Sequence, residues 1–213
     1  MIDDINKDGT QWARFSDDRK LRFRLARAAI PMDTMPTTTR QFDAQFDFTR
    51  NDLMATLSGS TAWDVSSLAL RRRTVFLMLN PSTADAFRLD PTVKKCVAFA
   101  TAWGSEVVEV VNIFPYRSAY PEDLYVWTRG MSSSEWEAAN TENNAQIVSA
   151  CTGADRVIAA WGRHGALLVQ GTSVRHLLMT HDIKLNYLEL NKDGSPKHPL
   201  YIKGGSEPKE WTV

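Results

Sequence analysis

The sequence predicts an α/β fold, a three-layer α/β/α sandwich with a mainly parallel central sheet. Three observations predict it. Continuous apolar runs rich in β-branched and aromatic residues recur at residues 74–80, 106–114 and 156–162, the pattern of strands buried on both faces. Segments with helical start signals separate the runs. Each run stops at a proline, an asparagine or a glycine, which ends pairing and turns the chain.

Ahead of these runs, residues 20–27 (KLRFRLAR) alternate basic and apolar side chains with the two-residue period of a half-buried strand. Its arginines are expected on a solvated outer face. Residues 31–67 are rich in Thr, Ser, Asp and Asn without an apolar period, and read as a polar insertion with one short helix at 51–57. The first buried strand, TVFLMLN, runs straight into Pro81, Ser82, Thr83 and Asp85. Asp90-Pro91 reads as an N-cap followed by proline at the first helical position, opening a helix through Val93, Cys96, Val97 and Ala100 to Gly104. The second strand, EVVEVVNIF, runs from Glu106 to Phe114, and Asn112, Pro115, Tyr116 and Arg117 place polar and basic groups at its carboxyl end. A short helix at 121–127 and a longer one at 140–151 follow. A third strand, RVIAAWG, precedes a helix at 166–179, and residues 184–190 make a fourth strand.

This order places the segments 80–90, 112–117 and 161–164 at one sheet edge, where ligands bind in open α/β sheets. The tail carrying Lys197, His198 and Pro199 follows the fourth strand and reaches the same edge. Three loops and the tail make one cleft.

Composition bounds the function. The 213 residues, 43% hydrophobic, suffice for one sizeable core, and a single domain spanning residues 1–213 is expected. Twenty-five basic residues balance twenty-five acidic ones, so no general field draws nucleic acid, and any DNA contact comes from a local patch. Cys96 and Cys151 lack metal-ligand spacing and read as reduced structural thiols; no metal or cofactor is expected. The start of the chain is acidic and polar, and no apolar run reaches membrane-spanning length. A cytoplasmic protein without membrane partners is expected.

Four segments together, LNPSTADAFRLDPTVKKC, WGSEVVEVVNIFPYRS, VIAAWGRHG and DGSPKHPLY, resemble the bacterial and phage family known as domain of unknown function 1643. The same arrangement is similar to the uracil-DNA glycosylase superfamily, whose mismatch-specific branch has an Asn-Pro loop after its first core strand, as in Leu79-Asn80-Pro81-Ser82 here. That superfamily closes with a His-Pro loop after its last core strand, matched by His198-Pro199. Leu200 stands where a small polar residue is usual, and the aspartate-bearing Gly-Gln-Asp-Pro loop is missing.

The resemblance implies a protein that recognises a nucleobase and cleaves its N-glycosidic bond, in DNA containing a modified or damaged base. Asn80 would hold the attacking water, and Asp85 or Asp90 would stabilise positive charge on the sugar or act as a base. His198 would donate a hydrogen bond to the departing base. A base flipped from its stack needs an aromatic face and polar groups to read it: Phe87, Phe114, Tyr116 and Trp161 are candidate faces, and Asn112 a candidate edge reader. Ser82 and Thr83 complete the loop, and Arg117, Arg163, His164, Lys197 and Lys203 are placed to meet phosphate. Two other readings remain open. One is a non-catalytic binder of modified DNA, a nucleotide or a partner protein; the other is an N-glycosidase or transferase acting on free nucleosides or nucleotides.

Overall fold

Alternation along the apolar runs decides which layer each side chain joins. In the computed structural model, which describes residues 1–5, 11–29, 71–82 and 90–212, Phe76 and Met78 enter one hydrophobic cluster and Val75 and Leu77 another. The insertion at 31–67, its short helix, Thr83, Asp85 and Phe87 lie outside the described residues.

Eight described strands form one sheet: β1 (Ile2–Ile5), β2 (Gln11–Phe15), β3 (Arg22–Ala28), β4 (Arg73–Met78), β5 (Val107–Asn112), β6 (Arg156–Ala159), β7 (Asn186–Tyr187) and β8 (Lys209–Glu210), in the order β1-β2-β3-β5-β4-β6-β7-β8. The expected mainly parallel sheet is corrected to a mixed one. The four strands β5-β4-β6-β7 run parallel, but β1, β2 and β3 add antiparallel to β5, and β8 antiparallel to β7. Four of the seven junctions are therefore antiparallel. The amino-terminal strands fold back on each other and need no helical crossover.

Four described helices cover the sheet: α1 (Pro91–Ala102), α2 (Pro121–Gly130), α3 (Ser133–Cys151) and α4 (Gln170–Thr180). Helix α1 packs Val93, Cys96, Phe99 and Ala100 with Phe76 and Met78, while α2, α3 and α4 pack Leu124, Ile147, Val174 and Leu178 with Val75 and Leu77. The connection leaving β4 thus crosses one face and those leaving β5 and β6 cross the other, which opens a crevice at the carboxyl end of β4.

Three element boundaries differ from expectation. Helix α3 begins at Ser133 rather than residue 140 because Ser132 and Glu135 form a reciprocal capping box. A 3-10 segment, Arg163–Val169, precedes α4, which starts only at Gln170. The fourth core strand shrinks to Asn186–Tyr187, because Glu189 and Leu190 turn to pair with Lys197 and Pro196.

The largest correction concerns the arginines of β3. Arg22 and Arg24 are 2% and 1% exposed, not solvated. Arg24 pairs with Glu109 of β5, whose other oxygen accepts from Arg73 Nη1 at 2.9 Å. Arg73 Nη2 donates to the Thr152 carbonyl at 2.7 Å, and Arg24 Nη1 to Ser149 Oγ at 3.3 Å. Helix α3 thus covers a face that alternation alone would leave in water.

No described helix is long and apolar enough to cross a membrane.

Candidate functional site

The carboxyl ends of β4, β5 and β6 surround a cavity of about 700 Å3. Asn80, two residues beyond β4, Asn112, the last residue of β5, and Trp161, two residues beyond β6, all line it. Main-chain bonds from Ile113 N to Met78 O and from Ala160 N to Leu77 O, both 2.8 Å, lock these strand ends together. The cavity therefore has a rigid base.

Asn80 stands at the stop that Pro81 imposes on β4. Its Nδ2 donates to the Ser118 carbonyl at 2.9 Å and reaches the carbonyls of Tyr116 and Pro81 at 3.3 and 3.4 Å. These contacts fix the orientation of the amide and tie the loop after β5 to the loop after β4. Among the described residues nothing is seen to donate to Oδ1, and Asn80 lines the cavity.

Asp90 forms the N-cap of α1, accepting from Val93 N at 2.7 Å, and its second oxygen accepts from Ser82 Oγ. Both oxygens are thereby engaged. Asp90 nevertheless lines the cavity, as Ser82 does, and its charge is felt by His198.

His198 arrives by a hairpin. Gly194, with φ of 80°, makes the turn after Asn191 that a residue with a Cβ rarely adopts. The returning chain then pairs Lys197 N with Glu189 O and gives Pro196 O to Gly162 N, both at 2.8 Å. Pro199 opens a short 3-10 turn, Pro199–Tyr201, and His198 caps it, Nδ1 accepting from Leu200 N in a long 3.4 Å contact. An accepting Nδ1 carries no proton, which assigns the hydrogen to Nε2 in the neutral ring. Burial pushes the imidazole pKa below its usual value, and the nearby Asp90 charge offsets this in part. The ring is held neutral near pH 7, with Nε2–H as its remaining donor.

Asn112 is 1% exposed, and its Nδ2 is buried without a hydrogen-bond partner. Its carbonyl is used structurally, accepting from Asn143 Nδ2 at 2.9 Å. Buried amide hydrogens left unpaired are rare in folded proteins. This one lies in a cavity-lining residue.

Of the other expected site residues, Arg163, His164 and Lys197 line the cavity. His164 Nδ1 lies 3.2 Å from Tyr125 Oη, and Lys197 Nζ pairs with Glu189 at 2.8 Å. Trp161 is mainly a packing residue: it lies against Trp211 with ring centroids 5.6 Å apart, and Gly165 and Gly171 fit closely over its indole. Phe114, Tyr116 and Arg117 do not line the cavity. Phe114 packs on Trp136 in the core, Tyr116 stacks on Trp127 at 4.9 Å, and the Arg117 guanidinium lies over Phe15 while Nη1 donates to the Arg19 carbonyl. Lys203 is exposed and outside the cavity lining. Thr83, Asp85 and Phe87 lie outside the described residues.

Arg22 also lines the cavity, a position its sequence does not signal. Its alternating neighbourhood signals a strand but not that the strand lies beside β5. Tyr201 and Leu200, exposed at the rim, were equally unassigned, although they directly follow His198-Pro199. Among the described residues no three His, Cys, Asp or Glu side chains are grouped to hold a metal ion.

No curated protein and no solved structure matches this chain. The family described as "Protein of unknown function (DUF1643)" matches residues 62–200, a span that includes β4, β5, β6 and His198, and the chain belongs to that family.

Proposed function

We propose that the cavity recognises a nucleobase and that the protein is a DNA glycosylase, hydrolysing the N-glycosidic bond of a modified or damaged base. The observation that carries this reading is that Asn80, with an available amide acceptor, and His198, with an available Nε2–H donor, line the same cavity. Hydrolysis breaks the bond between C1′ and the base nitrogen, and the electron pair leaves with the base. His198 Nε2–H meets the negative charge on the departing base, while Asn80 Oδ1 accepts from the water that adds to C1′. The Asp90 carboxylate supports the transient positive charge on the sugar, and the water's second proton passes to solvent. Entry of a base from DNA requires it to leave the stack.

A second reading, binding without turnover, is favoured by one observation. Asp90 is the only carboxylate among the described cavity-lining residues, and each of its oxygens already accepts a hydrogen bond, which makes it a less ready general base. The two readings separate on oligonucleotides carrying a panel of modified bases. Alkali-labile abasic sites formed by the wild type and not by His198→Ala support the glycosylase; stable binding with every strand intact supports the reader. Preference for free nucleosides over the oligonucleotides would move the activity to monomers.

A further inference from the structure

A base held outside its stack needs a flat apolar face to lie against, and the aromatic residues expected to supply one do not. Phe114 and Tyr116 pack on Trp136 and Trp127 away from the cavity, Phe87 lies outside the described residues, and Trp161 is 4% exposed, packed by Trp211 with Gly165 and Gly171 close over its indole. Tyr201 differs from all of these. It lines the cavity and is 74% exposed. Its one ring neighbour among the described residues is His198, with centroids 5.8 Å apart and planes tilted by 53°, so the two rings are adjacent without being stacked. The chain around Tyr201 is fixed: Pro199 is buried, Ile202 joins the core cluster of Phe76 and Met78, and Tyr201 N and Ile202 N donate to the carbonyls of His198 and Pro199, both at 3.1 Å. Anchored on both sides, the turn presents Tyr201 outward at the rim, beside the histidine.

We propose that Tyr201 is the stacking face for the bound base, lying against one side of it while His198 donates to its edge. The inference rests on the nucleobase reading of the same cavity and assigns the aromatic surface which that reading requires. The ligand class is a planar aromatic heterocycle met through its π-face. Every base has such a face, so the stack tolerates base identity and selection among bases falls to the polar groups of the cavity. The ring carries the contact rather than the hydroxyl. An aromatic side chain left in water until a base covers it gains from binding, because its apolar face leaves water at that moment.

Isothermal titration of the full chain with the four deoxynucleosides, 5-hydroxymethyldeoxyuridine and base-free deoxyribose tests this, with Tyr201→Ala, Tyr201→Leu and Tyr201→Phe beside the wild type. Tyr201 is exposed, so all three variants are expected to keep the wild-type unfolding transition. Tyr201→Ala is expected to bind the nucleosides at least about fivefold more weakly, Tyr201→Phe to bind them like the wild type, and Tyr201→Leu, which keeps an apolar side chain without a π-face, to fall between. Proton NMR reads the stack itself: ring protons of the bound base are expected to shift upfield with the wild type and Tyr201→Phe, and less with Tyr201→Leu. Equal nucleoside affinity in the wild type and Tyr201→Ala overturns the stacking role and leaves the nucleobase reading intact. So does a Tyr201→Leu variant that matches the wild type in both affinity and upfield shift, since an apolar rim then suffices. Deoxyribose binding as tightly as the nucleosides, or no binding of any probe, overturns both.

Discussion

Arg24 of β3 and Glu109 of β5 form an ion pair inside the protein, their side chains 1% and 0% exposed. Arg73, 4% exposed, donates to the second oxygen of the same carboxylate. Removing one member of a buried ion pair strands the remaining charges, a loss of about 3–5 kcal/mol. Glu109→Ala, which leaves two guanidiniums facing each other, is expected to lose at least that much in urea unfolding. The half-exposed pair Arg14–Asp3 is the control: Asp3→Ala changes stability by less than about 1 kcal/mol.

Trp161 sets the position of the 3-10 segment that carries Arg163 and His164. A Cβ added at Gly165 would fall 2.1 Å from Trp161 Cδ1 and 2.6 Å from Nε1. Gly165→Ala therefore overpacks a closed site and is expected to cost about 1–3 kcal/mol, measured by thermal unfolding. Gly204→Ala, with nothing within 4 Å of the added carbon, leaves the transition in place.

His198 predicts a pH dependence with a definite sign. Burial lowers its pKa in the folded protein, so between the folded and unfolded values the unfolded chain binds more protons. Its neutral form contributes fully above the unfolded value, near 6.5, and that contribution is lost as pH falls toward the folded pKa. The protonated ring also loses Nδ1 as an acceptor for Leu200 N–H. Any limb that His198 imposes on ligand affinity or turnover is expected to lie below its unfolded value, near 6.5, because burial lowers the folded pKa, and His198→Gln is expected to flatten that limb. A limb unchanged in the variant assigns the titration elsewhere.

Cys96 and Cys151 are buried and on opposite faces of the sheet, and burial pushes both thiols well above their usual pKa. Neither is expected to react with iodoacetamide in the native protein. Both react once the chain is unfolded, and rapid alkylation of the folded state would show that this packing is wrong.

The parts of the fold legible in the sequence were those set by local chemistry. The Asp90-Pro91 start of α1 follows from two residues, and the end of β4 falls within two residues of the Asn80-Pro81 stop, whereas β5 ends at Asn112, two residues short of the expected Phe114. What was not legible depended on distant partners. Alternation in β3 cannot say that α3 will cover Arg24 or that Glu109, 85 positions later, will neutralise it. The same ignorance hid Arg22 from the site and retained Phe114, Tyr116 and Arg117 in it, since a residue after a strand turns toward the cavity or the core according to its neighbours. Residues 184–190 carry a strand's composition, yet Leu185 and Leu188 are buried without a long ladder because the hairpin at Glu189 and Lys197 takes the chain away. Ser132 and Glu135 were a readable capping signal that the apolar period alone passed over.

The claim that this cavity cleaves an N-glycosidic bond is tested most directly by mass spectrometry of bases released from unmodified and modified phage DNA by wild-type and Asn80→Ala protein. Thermal unfolding of the variant is recorded alongside, because Asn80 also anchors the Ser118 carbonyl. The wild type is expected to release one defined base, and folded Asn80→Ala to release it at least about a hundredfold more slowly. Modified DNA that binds stably to the wild type and loses no base contradicts the claim.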